Sequence, residues 1–145
     1  MPKFLFALLI AALITSPLAA QEAKADLRTS AREALQDGDF ARADALSPLL
    51  IHARPDDADA LLIRAAAARG MGRPEDWSEA SVTAYRVADT DFQRFDAAML
   101  AAQAAAAREQ FMRAQVWLRR ADQYAPAAAR NAVALAYRQV AARTP

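Results

Sequence analysis

The chain has 145 residues, enough for one domain with a real core. Its 18 basic and 17 acidic residues nearly cancel, so it lacks the basic excess that nucleic-acid binding needs. It has no cysteine, which excludes disulfides, a thiol nucleophile, a thiolate metal site and c-type haem attachment.

The first segment reads as a secretory signal peptide. Lys3 supplies a positive start, Phe4 to Ile14 is an unbroken apolar run of 11 residues, and Thr15 to Ala20 is short and rich in small residues around Pro17. That run is too short to span a bilayer as a helix. Cleavage is expected between Ala20 and Gln21, leaving residues 21–145 as one exported domain with no integral membrane segment. The bacterial style of the signal points to the periplasm. Without a cysteine after the run, no lipid can be attached at the cleavage site.

The exported part is polarised. From Gln21 to Ala107 it carries 10 basic and 15 acidic residues, and from Arg108 onward 7 basic and 2 acidic. Solvated helix faces account for this; a basic end facing an anionic partner is the sharper alternative.

Alanine dominates, alternating strand patterns are missing, and breakers divide the chain into seven expected helices. The first spans about Lys24 to Gln36. Asp37-Gly38-Asp39 is a turn in which the glycine closes one helix and Asp39 caps the next. The second runs from Phe40 to Ala53 and stops at Arg54-Pro55-Asp56-Asp57. The third ends near Arg69, before Gly70-Met71-Gly72-Arg73-Pro74. The fourth covers Glu75 to Ala88, and Asp89-Thr90-Asp91 caps a fifth that reaches about Arg108. The sixth spans Phe111 to Tyr124, and Pro126 opens a seventh ending near Arg143. Short turns make successive helices antiparallel. Apolar stripes support the pairing: Leu27, Ala31, Ala34 and Leu35 on the first helix, Phe40, Ala43, Leu46, Leu50 and Ile51 on the second, Phe111, Ala114, Leu118 and Ala121 on the sixth.

The pattern repeats. Gly38-Asp39-Phe40-Ala41-Arg42-Ala43 leads to Pro55, and 71 residues later Glu109-Gln110-Phe111-Met112-Arg113-Ala114 leads to Pro126. Gly72 follows Gly38 by 34 residues. Such a period marks stacked helical hairpins. The chain resembles the tetratricopeptide repeat family, whose 34-residue hairpin carries Gly-Asp-aromatic-x-x-Ala and a closing proline. A first copy, about Lys24 to Asp57, matches at Gly38, Asp39, Phe40, Ala43 and Pro55. A third, about Phe95 to Ala128, matches at Phe111, Ala114, Ala121 and Pro126, with Glu109 in place of the usual glycine. The middle copy, about Ala58 to Arg94, keeps Leu61, Ala65 and Gly72. It has Pro74 for the turn aromatic and is about three residues longer, which leaves the orientation of the fourth helix open.

The resemblance implies an all-α fold, a right-handed superhelix of about three hairpins with a C-terminal capping helix. It also implies a concave groove lined by Arg28, Arg32, Leu62, Ala66, Arg69, Met99 and Gln103. The Lys/Asn clamp of the family's chaperone-tail binders is lacking.

Candidates for chemistry are few. His52, the only histidine, has no partner at a useful spacing and suits the negative end of its helix. Asp37, Asp39 and Asp44, and Asp56, Asp57 and Asp59, do not follow a calcium-loop spacing and read as caps. Glu22, Glu33 and Glu109 lack the paired context of a glycosidase, and no phosphate loop or serine elbow occurs. Trp77 and Trp117 read as core or inter-repeat contacts, with Trp117 half-buried; an aromatic anchor for a partner is the alternative. The expected function is therefore a non-enzymatic periplasmic adaptor, without cofactor or metal, that binds a peptide or a helix of another protein. The arm of an outer-membrane assembly or export system is an alternative, since some barrel proteins that move lipoproteins begin with such repeats. An accessory to a cell-wall hydrolase is weaker.

Overall fold

The computed structural model describes residues 17–144. Most of the expected signal peptide, residues 1–16, lies outside them. The described residues form seven α-helices and no strand: α1 (Pro17–Gln36), α2 (Phe40–Ala53), α3 (Ala58–Gly70), α4 (Pro74–Val87), α5 (Asp91–Ala107), α6 (Phe111–Tyr124) and α7 (Arg130–Ala141), the last preceded by a 3-10 turn, Ala127–Ala129. The first helix, expected from Lys24, is helical from Pro17 and continues through Ala20 and Gln21. The seventh is shorter than expected, because Pro126 leads into the 3-10 turn rather than directly into the helix.

Each helix packs on the next, and α1 also touches α3 as α3 touches α5. Helices α1, α3 and α5 thus lie side by side, with α2 and α4 packed between them in sequence and α6 on α5, an all-α stack of helical hairpins.

The three turns inside the hairpins are the same structure. Gly38, Gly72 and Glu109 all take positive φ, at 76°, 67° and 58°. In each turn the following amide reaches five residues back: Asp39 N–H donates to Ala34 O (2.8 Å), Arg73 N–H to Ala68 O (2.9 Å) and Gln110 N–H to Ala105 O (2.9 Å). This satisfies helix-end carbonyls that have no intrahelical donor. Between hairpins the caps are side chains. Asp57 accepts from Ala60 N–H at 3.2 Å. Thr90 and Gln93 form a reciprocal capping box at the start of α5.

The core is built largely of alanine, including Ala31, Ala43, Ala65, Ala68, Ala97, Ala104 and Ala114, all fully buried. Small side chains let helix axes approach closely, so little volume is left to fill. The middle hairpin is regular, which settles the orientation of α4: it packs between α3 and α5. Pro74 occupies its first turn, where no amide hydrogen is required. Its aromatic sits three residues later, at Trp77, held among Ala65, Ala68, Ala80 and Ala104.

The extra residues between the second and third turns belong to α5, which has 17 residues against 13 in α3. The third hairpin therefore starts at Asp91 and not at Phe95. Helix α2 runs through Pro48 without breaking. The proline cannot donate to the carbonyl of Asp44, and the Ser47 hydroxyl donates to that oxygen instead, at 3.1 Å. At the far end, Gln115 of α6 donates to Thr144 Oγ1 at 2.6 Å and accepts from the Tyr137 hydroxyl at 3.2 Å, fastening α7 to α6.

Candidate functional site

The face shared by α1, α3 and α5 carries the groove residues expected from the repeat. It is cross-braced by polar side chains. Arg28 of α1 pairs with Asp57, and its second amino group lies 3.6 Å from Asp59 Oδ2. Arg32, one turn on, donates to the same Asp59 oxygen at 3.1 Å. Gln93 of α5 donates to the other Asp59 oxygen at 2.9 Å. Asp59 thus ties three helices together. Further along, Arg69 of α3 donates to Gln103 Oε1 of α5 at 3.1 Å.

Both α3–α5 bridges, Asp59 with Gln93 and Arg69 with Gln103, join residues 34 positions apart. Equivalent positions of α3 and α5 therefore sit side by side. Of the expected groove residues, Arg28 and Arg32 are joined through Asp59, and Arg69 meets Gln103 directly. Leu62 and Ala66 are half-buried between them. Met99 sits apart, packed against the cluster of Trp117, Leu118 and Val133 where α5 meets α6 and α7.

Two residues of this face escaped the sequence reading. Asp96 stands one period beyond Leu62 and two beyond Arg28. It is half-buried, and among the described residues its carboxylate has neither an ion pair nor a hydrogen bond. Burial raises its pKa above the ordinary carboxylate value. The 34-residue spacing was the signal that could have found it. Phe92, one turn earlier, is 64% exposed.

The remaining candidates resolve simply. His52 lies in the last turn of α2 and is exposed. Asp39 and Asp57 are caps, as expected of those clusters, while Asp44 pairs with Arg73 at 2.7 Å. Trp117, expected to be half-buried, is only 6% exposed. Its ring meets Tyr85 edge-on at 5.3 Å, and the Arg120 guanidinium covers it from 4.5 Å, which closes it off from solvent. Trp77 is buried as well, so both tryptophans are core residues. Among the described residues no cluster of His, Cys, Asp and Glu could hold a metal ion, and no helix is long and apolar enough to cross a membrane. No protein-family model and no curated protein matches the chain.

Proposed function

We propose that this protein is an exported, tetratricopeptide-like interaction module of the periplasm, with no catalysis of its own. It holds an extended peptide or a helix of another protein across the face of α1, α3 and α5. The observation that carries the reading is the 34-residue register of the α3–α5 bridges, because it sets repeat-equivalent side chains of these two helices beside one another.

At one repeat-equivalent position the three helices carry Arg28, Leu62 and Asp96 in turn. A chain laid across them meets guanidinium groups already paired with Asp57 and Asp59, then an apolar surface, then an unpaired carboxylate, an order that distinguishes one orientation of a peptide from the reverse. Arg32 strengthens the cationic end, since its side chain is 54% exposed and keeps guanidinium donors available beyond its bond to Asp59. Asp96 at the other end accepts a lysine, an arginine or an amino terminus.

The test is site-specific photo-crosslinking in cells. A crosslinker at Ala66, on this face, should trap a defined protein, while one at Ala45, on the outer side of α2, should not. Arg32→Glu should abolish the product. Equal capture at both positions, or capture insensitive to Arg32→Glu, would sink the proposal.

A further inference from the structure

The eight ion pairs among the described residues all use arginines between Arg28 and Arg108. From Arg113 onward no arginine is paired with an acid among the described residues. This is the basic end noted in the sequence, and its charge is uncompensated within the fold. An apolar cleft opens in its midst. Helix α7 packs mainly on α6, with Val133 also joining the cluster that α5 shares with α6, whereas α3 and α5 each pack on both flanking helices. Between α6 and α7 is a cavity of about 380 Å³ floored by Leu118, Val133, Ala134 and Tyr137. Arg119 of α6 and Arg138 of α7 stand at its rim, with Asp122 the one acid there.

We propose that this cleft is a second docking site, separate from the face of α1, α3 and α5, and that its occupant is an acidic amphipathic helix of another protein. The floor takes a leucine-sized side chain, and the two arginines take carboxylates one turn to either side of it. The charge complement selects an acidic partner.

Two other occupants fit less well. A second copy of this chain could offer the outward stripe of α1, Glu22, Asp26 and Glu33, but that stripe has no large apolar side chain to fill the floor. An anionic membrane needs a protruding apolar face at the basic cleft; Leu135 of α7 does protrude, at 50% exposure, but the cleft's own Leu118 and Val133 are recessed, at 2% each.

The probe is a fluorescein-labelled helical peptide with leucine at every fourth position and glutamate between, compared with the same peptide carrying lysine for glutamate. Fluorescence polarisation with the full chain should show binding of the acidic peptide only, weakening with added salt. The doubly reversed variant Arg119→Glu with Arg138→Glu should lower affinity by about tenfold or more, since both rim arginines are exposed and desolvate against the peptide. Ala134→Trp, which fills the floor from a solvent-exposed position, should lower it too, with the helical melt unchanged in both cases. Arg32→Glu, on the other face, should leave it unaltered. The proposal is overturned if the lysine peptide binds equally or if neither variant changes the affinity. Binding confined to phosphatidylglycerol vesicles, or salt-sensitive self-association in place of peptide binding, overturns it as well.

Discussion

The phenyl ring of Phe40, at the start of α2, lies flat on the backbone of Gly70, the last residue of α3. A β-carbon at Gly70 would stand 2.3 Å from the ring's Cγ and 2.4 Å from both Cδ atoms. Phe40 therefore reaches across the hairpin boundary, to the junction between the first and second hairpins.

This contact reverses the usual sign of a glycine substitution. Alanine in place of glycine in a helix ordinarily stabilises by about 1 kcal/mol. Gly70→Ala should instead cost about 1–3 kcal/mol, because the ring or the helix must move. Combining it with Phe40→Leu should recover part of that loss, since the two sites share one contact. Denaturant melts of the two single variants and the double variant give the coupling directly. A Gly70→Ala protein as stable as wild type contradicts the packing.

The three left-handed turns make a second, purely backbone prediction. At Gly38 and Gly72 an added β-carbon meets nothing within 4 Å. Gly38→Ala and Gly72→Ala should each cost about 1 kcal/mol, from the positive φ alone. Glu109 already bears that strain at φ 58°. Glu109→Gly should raise stability by up to about 1 kcal/mol, the relief being partly offset by the freedom glycine adds to the unfolded chain. Chemical melts of these three variants should move in opposite directions; a loss of stability in Glu109→Gly is the contrary result.

These cases mark how far the sequence could be read. The bounds of α2 and α6 were legible because strong punctuation stands at both ends, such as Gly38-Asp39 before Phe40 and Pro55 after Ala53. Glu109 was read as a departure from the repeat, yet the same bond pattern forces it into the glycine conformation. The middle hairpin looked irregular because its aromatic moved to Trp77, the position of Ala43 and Ala114 in the other hairpins. What makes that tolerable is volume, with Ala65, Ala68, Ala80 and Ala104 around the indole, and such compensation among four separate positions leaves no local mark in the sequence. On the odd-helix face, the arginines were readable as candidates, but their partners Asp57 and Asp59 looked sufficient as caps alone. Asp57 does both jobs at once.

That double role predicts a graded series at Asp57, which is 5% exposed. Asp57→Ala removes the cap of α3 and leaves Arg28 without its nearest partner, so it should cost about 2–3 kcal/mol. Asp57→Asn keeps an oxygen for Ala60 N–H and loses only the charge, so about half that loss is expected. Arg32→Ala breaks a more exposed pair and should cost under about 1 kcal/mol. Thermal melts ranking Arg32→Ala as the most damaging of the three would show that the brace is not centred on Asp57.

Asp96 provides the pH-dependent prediction, and it separates stability from binding. Burial holds its carboxyl above the ordinary value of 3.8, so the folded protein binds this proton more readily than the unfolded chain does. Its contribution to stability is then complete below that ordinary value and is lost as the pH rises through the higher folded one. At neutral pH the ionised group is a burden on the fold, and Asp96→Asn should melt above wild type. The group is only partly buried, so solvent screens it, and the gain should stay under about 1 kcal/mol. The gap between the two proteins should close as the pH is lowered through the carboxylate range. A wild type that melts at or above Asp96→Asn at neutral pH contradicts this. On the proposed reading of the α1, α3 and α5 face, this unpaired carboxylate would meet a cation of the bound peptide. The same Asp96→Asn variant should therefore hold a lysine-bearing peptide less tightly than wild type, even as it unfolds at a higher temperature.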